Sequence, residues 1–194
     1  MNKTPLIQFI QQHLPADKPV AAEIAEHFEE KEMVKNDFFL KDGQWSDEYL
    51  FLEQGMIRAF TLDTEGNEVT TNFYTANNVV FEVYSFFNRT RSKENFHCLT
   101  DCGGFVIRYA ELNQLFHSIP AFREFGRAML VKGFSALKQR TLSLINEPAE
   151  QRYQYLVQHH PELFQYAPLK YIASYLGITD TSLSRIRREA FKKA

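Results

Sequence analysis

The chain has 194 residues, 44 % of them hydrophobic, with 24 Asp and Glu against 22 Lys and Arg for a formal net charge of −2. That length supports one large or two small domains with real cores, and no apolar run is long enough to span a membrane. The N-terminus lacks the basic-then-apolar pattern of a signal peptide, and Cys98 and Cys102 are too few for a zinc or iron–sulfur site, so a cytoplasmic protein with reduced structural thiols and no metal is expected.

In chain order, residues 1–28 read as helical. Thr4-Pro5 is a plausible helix start, Leu6, Ile7 and Ile10 share a face, and Ala21, Ile24, Ala25 and Phe28 repeat the spacing after Pro15 and Pro19. From Lys31 to about Tyr109 the period changes. Short runs such as Phe38–Leu40, Tyr49–Leu52 and Met56–Leu62 alternate with turn clusters at Asn36-Asp37, Lys41–Gln44, Gln54-Gly55 and Asp63–Asn67. Many short strands at this spacing predict an antiparallel sandwich or barrel, and 18 Phe and 9 Tyr suit it.

After Pro120 the helical period returns without a breaker to Asn146. Leu130, Phe134, Leu137, Thr141 and Leu144 recur at steps of four and three, a coiled-coil-like seam. Gly126, Gly133 and Ala136 leave narrow places where another backbone could approach. A helix this long between two compact domains cannot cover a second apolar face within one chain, so a homodimer is expected through Leu130, Phe134, Leu137 and Leu144. The organisation expected is thus a first domain over 1–119, a dimerisation helix over 120–146 and a second domain over 147–194.

In the second domain, Ala149 to His159 reads as a helix with Tyr153, Leu156 and Val157 inward. Residues 168–194 then spell a helix-turn-helix. Ile172, Ala173 and Leu176 stripe a first short helix, Gly177 supplies the turn, Thr179 is a good N-cap, and Leu183 and Ile186 begin the next stripe. Outward on the second helix stand Thr181, Ser182, Ser184, Arg185 and Arg188, hydrogen-bonding groups of the kind a major groove accepts. Asp180 is read as a cap. From Ser182 onward the chain holds Arg185, Arg187, Arg188, Lys192 and Lys193 against Glu189 alone, which leaves that segment at +4 and the remainder at −6. Cations gathered at one end serve phosphate neutralisation, so double-stranded DNA is the expected partner.

This order of parts resembles the Crp/Fnr family of bacterial transcription regulators over essentially the whole chain. The segments that carry the resemblance are Phe39–Gly43, Tyr49–Arg58, and Ile172–Thr179 leading to Leu183-Ser184-Arg185-Ile186. The resemblance implies an α+β chain: an N-terminal antiparallel jelly roll with flanking helices, a long dimerisation helix and a C-terminal helix-turn-helix. It also implies contact with RNA polymerase, and it carries Thr179 to phosphate, Thr181, Ser182 and Arg185 to base edges, and Arg188 to the backbone. Many relatives continue into a β-hairpin wing after the second helix, and a full wing is not expected here.

Cyclic-nucleotide binders of that family hold the ribose with Gly-Glu-Leu and the phosphate with a later Arg-Ser or Arg-Thr. The matching positions make Glu82, Arg91 and Ser92 the candidate effector residues. Phe81 stands at the glycine, and counting back from Ile107-Arg108-Tyr109 puts Ser92 at the phosphate arginine, with Arg91 meeting the pattern only if the loop shifts by one residue, so cyclic AMP is not expected and no cofactor is assigned. The competing reading is a cyclic-nucleotide-binding signalling module whose terminal helices dock a protein. No nucleophile–base pair, metal motif or phosphate loop stands out, so an enzyme is not expected.

Overall fold

The computed structural model describes residues 2–13 and 18–193; Pro15 lies outside the described residues, as do the side chains of Lys18 and of residues from Phe191 onward, the basic pair Lys192-Lys193 included. Two helices, α1 (Thr4–His13) and α2 (Lys18–Glu26), lead into eight strands. These are β1 (Glu29–Met33), β2 (Phe38–Leu40), β3 (Glu48–Gln54), β4 (Ile57–Leu62), β5 (Glu68–Tyr74), β6 (Asn78–Val80), β7 (Asn95–Cys98) and β8 (Cys102–Arg108). A short helix, α3 (Val83–Asn88), interrupts them between β6 and β7. Helices α4 (Tyr109–Ser118) and α5 (Pro120–Asn146) follow, then α6 (Ala149–His159), α7 (Leu163–Tyr166), α8 (Leu169–Tyr175) and α9 (Asp180–Lys193).

The strands form two antiparallel four-stranded sheets, ordered β1-β8-β3-β6 and β2-β7-β4-β5. Strand β3 shows why they stack. Leu50 and Leu52 point between the sheets to meet Ile57, Phe96 and Val106, while Tyr49 and Phe51 point the other way into a core shared with α1, α2, α4 and α5. A strand buried on both faces loses the polar alternation of a half-exposed one, as its run Tyr49-Leu50-Phe51-Leu52 records.

The first third of α5 belongs to that helical core through Phe122 and Phe125. Gly126 is needed there because a Cβ would sit 2.5 Å from the Phe116 ring of α4. Its narrow place is filled within the chain, not by a second backbone. The remainder of α5 leaves the core, and Leu130, Phe134, Leu137 and Leu144 are all exposed, Phe134 by 71 %.

The third core gathers α6 to α9 around Tyr153, Leu156, Leu163, Ile172, Ala173, Leu176, Leu183 and Ile186. Met56 and Leu99 from the strand domain are buried in the same cluster. Val157, expected inward, is 39 % exposed, because the inward stripe of α6 runs through Tyr153 and Leu156 instead.

Candidate nucleic-acid interface

The turn between α8 and α9 is built from backbone bonds. Gly177 N–H donates to the Ser174 carbonyl and Ile178 N–H to the Ala173 carbonyl, both at 3.0 Å, a Schellman ending that needs the left-handed φ of +68° at Gly177. Helix α9 then starts on Thr179, whose Oγ1 accepts from the Ser182 N–H at 3.2 Å and meets the Ser182 hydroxyl at 3.1 Å. Thr179, not Asp180, is therefore the cap, and Asp180 supplies a carboxylate to the first turn, where the helix dipole favours it.

Along α9, Leu183 and Ile186 turn into the core while Thr181, Ser184, Arg185 and Arg188 are exposed. Together with Ser182 they line one shallow concavity. The side chains of Thr181, Ser184, Arg185 and Arg188 make no hydrogen bond or ion pair with any described residue. They form a row of donors and acceptors without a partner among the described residues, on a helix fixed at its N-terminal end.

The α8–α9 pair is held to the strand domain through α8. The Thr70 N–H of β5 donates to the Ser174 Oγ at 2.8 Å, and that hydroxyl donates to the Glu68 carbonyl at 3.3 Å. Phe73 packs edge-on against Tyr175 with ring centroids 5.3 Å apart. Between the two elements lies Arg58, fully buried on β4. Its guanidinium lies 3.5 Å from the Tyr171 ring centroid and 4.4 Å from that of Phe60, donates to Thr70 Oγ1 at 2.8 Å and pairs with Glu68 at 2.6 Å.

Two further arginines close the C-terminal end of α8. Arg140 of α5 donates to the Tyr175 carbonyl at 3.0 Å and lies over that ring, and Arg152 of α6 donates twice to the Leu176 carbonyl. These are the unsatisfied carbonyls of a helix terminus, and cations complement its dipole. The docking of α8 was not anticipated from sequence. The available signal was Arg58 itself, a charge inside the apolar run Met56–Phe60.

The candidate effector residues are not brought together. Glu82 caps α3, its two carboxylate oxygens accepting from Tyr84 N–H at 2.9 Å and Ser85 N–H at 2.7 Å. Ser92 is buried: its N–H donates to the Gln44 carbonyl, its carbonyl accepts from Gly43, and its hydroxyl donates to the Glu94 carbonyl at 2.9 Å. Arg91 is exposed and donates to the Gly43 carbonyl at 2.6 Å. Phe81 fills the neighbouring space among Tyr49, Phe86 and Phe87. Glu94 lies nearby, its carboxyl raised above the ordinary glutamate range by burial, with the Glu82 charge adding to the effect and the Thr71 hydroxyl opposing it. Among the described residues no cluster of His, Cys, Asp and Glu could hold a metal, Cys98 and Cys102 are free and buried, and no helix is long and apolar enough to cross a membrane.

Residues 30–118 match the family described as cyclic nucleotide-binding domain. A search of curated proteins by sequence finds no match. Among solved structures the chain superposes on FixK2 of Bradyrhizobium japonicum with a TM-score of 0.73 at 15 % identity, covering 86 % of this chain and 85 % of that one. It superposes on CLP of Xanthomonas campestris, described as a c-di-GMP responsive global regulator, with a TM-score of 0.71 at 14 % identity, covering 91 % and 93 %. For the catabolite activator protein of Thermus thermophilus the TM-score is 0.57 at 16 % identity, with 98 % and 88 % covered. The chain has the Crp/Fnr fold. Within that Crp/Fnr frame, the two sheets with α3 are the nucleotide-binding-domain fold, and α6 to α9 are the C-terminal helical domain.

Proposed function

We propose that the chain is a dimeric, sequence-specific DNA-binding transcription regulator acting in the cytoplasm, with α9 as its major-groove helix. The observation that carries this reading is the row Thr181, Ser184, Arg185 and Arg188, exposed and without partners among the described residues, on a helix that turns Leu183 and Ile186 into the core. Thr179 and Ser182 sit at the capped N-terminal turn, where backbone N–H groups favour a phosphate. Arg185 reads a base edge, since a guanidinium pairs bidentately with guanine O6 and N7. Arg188 neutralises backbone phosphate, and the family resemblance adds RNA polymerase as a partner.

The dimer forms along Leu130, Phe134, Leu137 and Leu144, an apolar line that the chain itself leaves open. Leu144 also lies against the turn, since a Cβ on Gly177 would come within 3.2 Å of its Cδ2, so the seam adjoins the reading head. With the family motif aligned on Ile107-Arg108-Tyr109 the phosphate position falls on Ser92, and the carboxylates Glu82 and Glu94 lie near it, which argues against cyclic AMP as effector.

Selection from random duplexes by the full chain tests the reading. The expected product is an inverted repeat with half-sites about one helical turn apart, bound more weakly as salt rises. A single ungapped half-site would remove the dimer, and no enrichment above the starting pool would remove DNA binding altogether.

A further inference from the structure

We infer that Met33, Cys98 and Cys102 form a site for one soft monovalent metal ion, copper(I), at the edge of the core between the two sheets. Both cysteines of the chain and one of its four methionines are gathered there. Met33 ends β1, Cys98 ends β7 and Cys102 opens β8, so three strands supply the three sulfurs. Met33 lies directly across the β1–β8 pair from Cys102, and its Sδ is 3.9 Å from Cys98 Sγ. The two thiols are in hydrogen-bond contact with each other across Leu99-Thr100-Asp101. Each sulfur-bearing side chain is thus a neighbour of the other two.

Thiolates and thioethers are soft donors, the ligands that select copper(I) over hard ions. A structural zinc takes four donors, whereas a monovalent ion is satisfied by two or three. The thioether matters for that reason, since it adds a third donor that His, Cys, Asp and Glu alone do not supply here. Metal–sulfur bonds of about 2.3 Å set at about 120° place two sulfurs about 4.0 Å apart. The 3.9 Å between Met33 and Cys98 matches that spacing. All three side chains are buried, which keeps competing water away from the ion. Binding exchanges two S–H bonds for two metal–sulfur bonds and adds a lone pair from Met33; both protons pass to solvent and no electron is transferred. The way in runs past Gly55 and Thr100, both partly exposed beside Cys102. A Cβ on Gly55 would stand 2.7 Å from Cys102 Sγ, so glycine keeps that approach open.

The site lies at the joint with the helical domain. Cys102 Sγ is 3.5 Å from the Met56 carbonyl, which also accepts from the Leu99 N–H at 2.8 Å, and Met56 and Leu99 are both buried in the core of α6 to α9. A metal-bound thiolate has no proton to give that carbonyl, so the ion acts directly on the contact between the two domains. Binding of the ion does not depend on DNA binding, so the two can fail separately.

The full chain, reduced and kept free of oxygen, is titrated into a coloured copper(I)–chelator complex, and the loss of colour counts the ions withdrawn. The expected result is one copper(I) per chain, with no zinc(II) retained in a parallel titration. Met33→Leu keeps the volume and removes the thioether. It should raise Kd on the order of tenfold while thermal unfolding stays close to the parent. Cys98→Ala and Cys102→Ala should each abolish withdrawal. Because alanine at a buried position can loosen the fold, X-ray absorption of the copper-loaded parent gives a second readout, expected to show three sulfur neighbours at about 2.3 Å. Failure of the parent to withdraw copper would overturn the site, and so would retention by both alanine variants. Two sulfur neighbours, or an unchanged Kd in Met33→Leu, would overturn the part given to Met33, and zinc held as tightly as copper would overturn the soft-metal assignment.

Discussion

The mouth of the jelly roll and the outer face of α9 are both rich in charged and hydroxyl side chains, yet they use them in opposite ways. Around the family's effector position, Glu82 caps a helix, Ser92 ties a loop to Gly43 and Gln44, and Phe81 fills the space beside Tyr49. On α9, Thr181, Ser184, Arg185 and Arg188 bond to nothing described. Polar groups that the fold has already used cannot change partners for a ligand without a loss of roughly 1–3 kcal/mol each in desolvation. Groups left without partners on a rigid helix carry no such cost. In this chain the residues of one region hold the structure, and those of the other are free to read something outside it.

The sharpest way to break that contrast is to remove a side chain on the used side and one on the free side and compare. Arg58→Ala should give the largest effect. The arginine is fully buried, lies between Phe60 and Tyr171, and ties β4 to Thr70. Its partner Glu68 keeps 43 % exposure and rehydrates, so the lost ion pair adds little, and the loss comes from packing and the cavity left behind. Urea unfolding should show a decrease of about 3 kcal/mol. Arg58→Met, which restores volume without charge, should recover most of it. A loss below about 0.5 kcal/mol would place Arg58 with the ordinary surface residues.

Arg185→Ala should behave in the opposite sense. Stability should stay within about 0.5 kcal/mol of the parent, because the side chain is exposed and holds no described partner. Affinity for the selected duplex should fall by about 1–3 kcal/mol, with relaxed discrimination at one position of each half-site. Gel shifts on matched and scrambled duplexes across a salt series separate the possibilities. Equal losses on both duplexes would make Arg185 a phosphate clamp and move base reading to Thr181 and Ser182.

What could be read from residues alone follows the range over which each feature is decided. Helix α5 is legible because its apolar spacing runs unbroken from Pro120, and the α8–α9 turn because Gly177 and Thr179 act within a few residues of themselves. Helix α3 is not: Val83-Tyr84-Ser85-Phe86-Phe87 has the composition of a strand, and it becomes a helix because Glu82 satisfies two of its first N–H groups. The filling of Gly126 by Phe116 and the entry of Met56 and Leu99 into the core of α6 to α9 depend on elements distant in sequence. The candidate effector residues were found by position in a motif, and no motif shows that Ser92 is buried while Arg91 beside it is exposed. The cap role of Glu82 is visible in retrospect as an acidic residue directly before a helix.

The smallest expected effect comes from Glu94 and sharpens the electrostatic side of the contrast. Burial raises its carboxyl above the ordinary value of 4.5, and the Glu82 charge reinforces this. The folded chain therefore keeps this proton to higher pH than the unfolded chain does. As pH climbs from the ordinary value through the raised one, the unfolded state releases the proton first, so folding loses stability across that window, and above it the cost is fully present. Glu94→Gln removes the titration while keeping the shape. Relative to the parent, the variant should gain stability as pH rises from about 4 to about 7, as followed by urea midpoints at a series of pH values. A constant difference across that range would mean that Glu94 is solvated and that the interior is less hostile to a phosphate than its carboxylates indicate. The predicted gain would instead show a site that already disfavours one negative charge, where a cyclic phosphate would bring another with no guanidinium at position 92 to receive it.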